Sequence, residues 1–439
     1  MPSMRDSALL RLALCLSGIG TAANAATFTI LHSFGSPGGP GDGYRPLGSL
    51  AIGHAGVLYG TTGAGGSFDE GTIFSLTPPT TSGGAWTETL LYSFGGFAGD
   101  ALGPIAGVTI GRGGALYGTT GSGGAYGYGT VFELAPPASP TGAWTETVLH
   151  SFGAGEDGNA PYAGVAIDSN GVLYGTTEGG GTTTFGTVFS LAPPASPGGD
   201  WTETVLYAFG ENVDDGAFPR GGVVIGSGGT LYGAASGGSF VSGAVFELTP
   251  PSTPDGTWTE TLLAIFYQGG TGVDPEAAPI LAGDGTLYGT TELGGYVTQG
   301  STCAQIARGC GTVYQVLPPS APGGKWTETA IYRFTDRYGD AFPLGGVVMG
   351  ANGALYGVTS GSPNGSYGTC DRGCGAVFEL SPPETPGGDW TQRILHAFTN
   401  QSDDGGFPLA GLVIGANGVL YGTTFSGGAQ DGGVVFSVE

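Results

Sequence analysis

From residue 27 onward the chain alternates short apolar runs with glycine-rich polar stretches. One stretch shows the pattern. Gly107-Val108-Thr109-Ile110 is a short apolar run, Gly111 to Gly114 a turn, and Leu116-Tyr117-Gly118-Thr119-Thr120 a second run. A glycine-rich loop leads to Thr130-Val131-Phe132-Glu133-Leu134. Pro136-Pro137 opens a loop that ends at Trp144-Thr145-Glu146-Thr147-Val148-Leu149-His150-Ser151-Phe152. All four runs are rich in β-branched and aromatic residues and bounded by Gly, Pro, Asn or Asp, which predicts four strands. The mature chain shows no 3.6-residue hydrophobic period.

The pattern recurs. Leu-Tyr-Gly appears seven times, at Tyr59, Tyr117, Tyr174, Tyr232, Tyr288, Tyr356 and Tyr421, in steps of 58, 57, 58, 56, 68 and 65 residues. A fixed period of this size marks one supersecondary unit copied along the chain. Four antiparallel strands per copy predict an all-β, seven-bladed β-propeller over residues 26–439, because a parallel β-helix would repeat in about half that length or less. We name the strands A (Gly107–Ile110 type), B (Leu-Tyr-Gly), C (Val-Phe-Glu-Leu) and D (Trp-Thr-Glu-Thr), with A at the central channel and D at the rim. Thr27-Phe28-Thr29-Ile30-Leu31-His32-Ser33-Phe34 is a D strand with no blade before it, and Gly433–Val438 is a C strand with no D after it. The first is expected to complete the last blade and so remove an open sheet edge. Trp86, Trp144, Trp201, Trp258, Trp326 and Trp390 each start a D strand and are read as packing between blades, as are the seven strand-B tyrosines.

Composition narrows the partners. Gly is 92 of 439 residues and Pro 29, yet the glycines fall between apolar runs and hydrophobic residues reach 40%, enough for a core. Only 10% of residues are charged, the net charge is −24, and Lys325 is the one lysine. Such a chain repels phosphate backbones and anionic membranes, leaving cations, sugars and proteins. Residues 1–25 read as a secretory signal peptide: Arg5 and Arg11, an apolar run from Leu9 to Ile19, then Ala23-Asn24-Ala25. Cys15 follows Leu14, where a lipoprotein site would want a small residue. No apolar stretch is long enough to span a bilayer. The expected location is secreted or periplasmic, and a monomer is expected.

Candidate chemistry is sparse. The D-to-A connections carry Asp42, Asp100, Asp157, Asp215, Asp274, Asp340 and Asp404. These read either as turn-forming residues or as a carboxylate ring at the channel mouth. One aspartate per blade spreads too widely to build a calcium site. Alternating strand direction puts the D-to-A and B-to-C connections on one face, and the B-to-C loops vary most, which makes that face the candidate site. The long loops Thr291–Gly311 and Ser360–Gly375 hold every cysteine of the mature chain. In an exported protein, local disulfides Cys303–Cys310 and Cys370–Cys374 are expected, with cross-pairing or a zinc site as rivals. His32, His150 and His396 replace Tyr on D strands, and His54 sits in a turn. There is no Gly-x-Ser-x-Gly elbow, His-Glu-x-x-His pair or phosphate loop, and no metal or cofactor is expected.

The run Leu116–Thr120, then Gly129–Leu134, with Trp201–Phe209, resembles the GloVer tandem repeat family of exported bacterial proteins, over nearly all of residues 27–439. The resemblance implies a secreted or surface-displayed protein and brings no activity with it. Glu439 directly follows the last strand, so surface anchoring is not expected. Three functions follow: a non-catalytic binding or scaffold module for a glycan or protein, a glycan-active hydrolase or lyase, or a structural envelope component. The enzyme reading requires a carboxylate to meet another carboxylate, a Tyr or an Arg at the channel mouth.

Overall fold

The computed structural model describes residues 26–439 apart from 36–40, 82, 140, 154, 197, 211–214, 238–241, 254–255, 268–270, 296–308, 322, 336–339, 362–369, 371–372 and 386. Residues 1–25, with Cys15 and the expected signal peptide, lie outside the described residues. Seven four-stranded antiparallel sheets form a ring, with strand order A-B-C-D in each. Blades one to six span 51–93, 109–151, 166–208, 223–265, 280–333 and 348–397. Blade two is Thr109–Ile110, Leu116–Thr120, Thr130–Ala135 and Thr145–Ser151. Blade seven takes Val413–Ile414, Leu420–Thr424 and Val434–Val438 from the end of the chain and Phe28–Ser33 from its start. Phe28 lies opposite Val438 and Ser33 opposite Val434, and Thr27 and Glu439 exchange two backbone bonds of 3.0 Å. The expected circular closure is present.

The repeat sequence explains the blade. Gly118 of strand B lies opposite Phe132 of strand C, and a β-carbon at Gly118 would come within 2.6 Å of the Phe132 ring. Glycine in Leu-Tyr-Gly therefore makes room for the strand-C aromatic. That aromatic also meets the residue that follows the preceding D strand. The pairs Phe34–Phe74, Phe94–Phe132, Phe152–Phe189, Phe209–Phe246, Phe266–Tyr314, Phe334–Phe378 and Phe398–Phe436 have centroids 5.1–5.3 Å apart and complete the circle. Each sits in an apolar cluster that joins two blades, where the burial of these large rings supplies the main driving force.

Two further contacts join the blades. The D-strand tryptophan packs on the preceding blade's strand-B tyrosine, as in Tyr59–Trp144 (6.3 Å), Tyr117–Trp201 (6.1 Å) and, across the closure, Trp86–Tyr421 (6.0 Å). The first Thr of Leu-Tyr-Gly-Thr-Thr donates to a carbonyl beside the next A strand. Thr61 donates to Ala106 at 2.8 Å, Thr176 to Gly221 at 3.0 Å and Thr423 to Gly48 at 3.3 Å. At the axis the A segments nearly touch: a β-carbon at Gly107 would lie 2.0 Å from the Ser49 carbonyl oxygen.

Candidate functional site at the channel mouth

The D-to-A and B-to-C connections do share a face, because they pair with each other. Gly43–Tyr44 pairs with Ala64–Gly65, Ala101–Leu102 with Ser122–Gly123, and Gly405–Gly406 with Ser426–Gly427. Single bridges Asn159–Gly179, Ala217–Gly237 and Val273–Leu293 repeat the pairing in blades three to five. After this pairing the chain turns into the channel through a left-handed residue placed just before a proline. Arg45, Ala160, Phe218, Asp274, Phe342 and Phe407 have φ between 53° and 63°, and Gly103 fills the place in blade two. Such a backbone is costly for non-glycine residues and persists only when its surroundings impose it. Here they do: the Phe342 amide donates to the Cys310 carbonyl, and the Phe342 carbonyl accepts from the Ser360 amide, both at 2.9 Å.

The residue after each proline lines the mouth of a cavity of about 330 Å³ on the propeller axis. Around the ring these are Leu47, Ile105, Tyr162, Arg220, Glu276, Leu344 and Leu409. Four successive positions, from blade six round to blade two, are aliphatic, and three successive positions, in blades three to five, are polar. Arg220 Nε donates to Glu178 Oε1 at 2.7 Å, and its terminal nitrogen reaches Glu276 Oε2 at 3.3 Å. Arg220 is half exposed, whereas Glu276 is 12% exposed and Glu292 is buried nearby. Burial pushes the Glu276 carboxyl up to about 7; Arg220 opposes this, and the Glu292 and Asp274 charges add to it. Burial works against the Arg220 charge, but Glu276 and Glu178 outweigh it and hold its pKa above the usual guanidinium value.

This polar arc was not singled out in the sequence, because Glu178, Arg220 and Glu276 lie 42 and 56 residues apart. The signal that finds it is positional. The residue after the proline is apolar or aromatic in five copies and charged in two adjacent ones.

The seven aspartates split into six and one. Asp42, Asp100, Asp157, Asp215, Asp340 and Asp404 lie behind the mouth, beside the aromatic of the preceding D strand. His32 meets Asp42 at 2.9 Å, His150 meets Asp157 at 3.0 Å and His396 meets Asp404 at 2.9 Å. Tyr92 donates to Asp100 at 3.2 Å and Tyr207 to Asp215 at 3.0 Å. Asp100 also accepts from the amides of Gly95 and Gly96 at 2.8 Å, which ties its own turn. Asp100, Asp215, Asp340 and Asp404 are buried. Asp274 differs: it directly precedes Pro275 at φ 55°, beside Glu276. Thr271 fills the vacated place and bonds Glu328.

The D-strand glutamates face these aspartates from the next blade. Glu146 lies near Asp100, Glu203 near Asp157, and Glu260 bonds Asp215. Burial raises their pKa to about 7, 7 and 8, with the aspartate charge adding to it. In blade six Gln392 takes the glutamate's place and accepts from Tyr332 at 2.8 Å.

Cys370 and Cys374 are disulfide-bonded, as expected. Cys310 is buried and disulfide-bonded, while Cys303 lies outside the described residues. Among the described residues no group of His, Cys, Asp or Glu is arranged to hold a metal ion, and no helix is long and apolar enough to cross a membrane. Among the described residues the exposed aromatics are Phe68, Phe97, Tyr126, Tyr128, Tyr162, Phe218 and Tyr267. Every one belongs to a D-to-A or B-to-C connection.

A family model described as the Gloeobacter/Verrucomicrobia repeat matches residues 20–234, 109–305 and 196–436. No curated protein matches the chain. Among solved structures it is similar to PorZ, an essential surface component of the type-IX secretion system of Porphyromonas gingivalis. That match has 14% identity over 85% of this chain and 44% of that one, with TM-score 0.43. It is also similar to a PL25 ulvan lyase (10% identity, 90% and 93% covered, TM-score 0.48). A third is the Trypanosoma rangeli sialidase (12% identity, 95% and 59% covered, TM-score 0.39). At these identities and scores none of the three speaks to this chain's activity.

Proposed function

The chain belongs to the Gloeobacter/Verrucomicrobia repeat family, and we propose that it is an exported, non-catalytic binding propeller whose ligand, a glycan, sits on the face of D-to-A and B-to-C loops. One observation carries this reading: among the described residues, the seven exposed aromatics all lie on that face. Exposed aromatic rings gathered on a rigid scaffold are amphipathic contact surfaces that lose little entropy on binding. The signal-peptide pattern and the Cys370–Cys374 disulfide support export. Asp42, Asp100, Asp157, Asp215 and Asp404, each bonded to a D-strand His or Tyr, support the exposed rings as the contact surface, with the aspartates shaping the loops.

The test is a glycan array probed with the mature protein and with a triple variant, Tyr126→Ser, Phe218→Ser and Tyr267→Ser. Binding by the wild type that the triple variant loses is the expected result. Equal binding by both proteins refutes the face.

A second reading, a glycan-active hydrolase or lyase, is favoured by the Glu178–Arg220–Glu276 arc. The carboxylate–Arg contact that an enzyme requires exists at the mouth, and Glu276 titrates near 7, in the range of a general acid or base. Depolymerisation of an array-positive glycan that stops with Glu276→Gln would replace the binding reading with this one.

A further inference from the structure

Between blades one and two the loop face opens into a cleft of about 630 Å³. Phe68, from the B-to-C connection of blade one, and Phe97, from the D-to-A connection that follows, both line it, 53% and 56% exposed. Half of the remaining lining is glycine, including Gly95, Gly99 and Gly124.

The exposed rings do not sit on loose loops. A β-carbon at Gly95 would lie 3.2 Å from Phe68 Cβ, and one at Gly96 would lie 3.3 Å from the Phe68 ring. Phe68 thus rests against the glycine segment, which is itself tied down by its two amide bonds to Asp100. The cleft is held in shape while its two aromatic faces remain open, so a ligand would meet a surface already organised for it.

The rest of the lining fixes the ligand's chemistry. It holds the exposed carboxylate of Glu70, the hydroxyl of Ser122 and the buried carboxylate of Asp100, and no basic side chain. Open aromatic rings stack on the C–H face of a sugar, and a carboxylate accepts from its hydroxyls. A sulfated or uronic sugar would bring its negative charge to Glu70 in a chain of net charge −24, with no cation in the lining to receive it.

We infer that this cleft is a subsite for a neutral sugar ring, stacked on Phe68 and Phe97 with a hydroxyl directed to Glu70. The inference rests on the glycan-binding reading of this face and names the sugar class. Because Phe68 and Phe97 are both outside the core, their removal should not disturb folding.

The test is affinity electrophoresis in gels containing xyloglucan or galactomannan, with alginate as the anionic comparison. The proteins are wild type, Phe68→Ala, Phe97→Ala and Leu317→Ala, the last an exposed strand residue off this face. Thermal unfolding of each checks that it is folded. The expected result is retardation by a neutral polysaccharide and none by alginate. Each phenylalanine variant should weaken binding about tenfold, the scale of one aromatic contact, and Leu317→Ala should bind like wild type.

Three results would overturn the inference: equal retardation of both phenylalanine variants and wild type, stronger retardation by alginate, or no retardation in any neutral gel. If neutral binding survives in Phe68→Ala and Phe97→Ala but fails in the Tyr126, Phe218 and Tyr267 triple variant, the cleft is wrong and the binding face stands. A blank glycan array removes both. Capture of a surface protein that depends on Phe68 and Phe97, with no polysaccharide retardation, assigns the cleft to a protein partner instead.

Discussion

Raising the pH from 5 to 8 should destabilise the ring, and the D-strand glutamates set the size of the effect. Glu146, Glu203 and Glu260 titrate near 7, 7 and 8 in the folded protein, against an ordinary 4.5. The sign follows from the two states. Between about 4.5 and 7 the folded chain keeps protons that the unfolded chain has released, so stability falls with rising pH. The contribution is complete below about 4.5 and gone by about pH 8. A carboxyl moved from 4.5 to 7 would be worth about 3 kcal/mol at full strength. These groups are only partly buried, and solvent screening reduces that to about 1 kcal/mol each, or about 3 kcal/mol for the three. Asp404 works the other way: its bonds to His396, Thr399 and the Gly405 amide outweigh its burial and lower its pKa. Its contribution is present above the ordinary aspartate range and lost as acid protonates it, so it opposes the glutamates at the acid end. The assay is the urea midpoint at pH 5 and pH 8, read by tryptophan fluorescence. The variant is Glu146→Gln, Glu203→Gln and Glu260→Gln together, a change the chain already tolerates at Gln392. The control is Glu70→Gln, Glu156→Gln and Glu384→Gln, three exposed sites with the same change in net charge. Wild type and control should lose at least about 3 kcal/mol between the two pH values, Glu276 adding to the three, and the Glu146, Glu203 and Glu260 variant about 3 kcal/mol less than they do. If the buried-site variant keeps the wild-type pH dependence, the reasoning is wrong.

The remaining expectations concern closure and the mouth. Phe34→Ala removes a fully buried ring that packs on Phe74 at the junction of the first and last blades. It should cost about 3–5 kcal/mol in urea unfolding. Thr423→Val deletes the hydroxyl bond to the Gly48 carbonyl and should cost about 1 kcal/mol in the same assay. Arg220→Ala strands Glu178 and Glu276 and should cost about 1–2 kcal/mol in urea unfolding at pH 8, with less loss at pH 5 where Glu276 is protonated. Cys370→Ser with Cys374→Ser removes the bond closing a short loop and should cost about 2 kcal/mol, measured as a fall in melting temperature.

The ring was legible because its determinants are local and repeated. Leu-Tyr-Gly, the strand-C aromatic and the D-strand tryptophan each occupy a fixed place, and each makes the same contact in blade after blade. The orphan strand at Phe28–Ser33 could be matched to Val434–Val438 on the same grounds. The candidate site is legible only in part, because a site on a symmetric scaffold is built from departures from the repeat. Counting one aspartate per copy grouped Asp274 with six residues whose place it does not share, since Thr271 holds that place in blade five. The D-strand glutamates read as rim residues, yet in Trp-Thr-Glu-Thr a two-residue period puts Glu146 on the same side as Trp144 and turns it between the blades. The polar arc appears only when the residue after each proline is compared around the ring. Leu47, Ile105, Leu344 and Leu409 preserve an apolar mouth, and Tyr162, Arg220 and Glu276 break it on one side. A uniform apolar mouth would serve packing equally well in all seven blades. Arg220 and Glu276, one half exposed and the other mostly buried, therefore make blades three to five the first place to test for chemistry. The exposed Phe68 and Phe97 make the seam of blades one and two the first place to test for recognition.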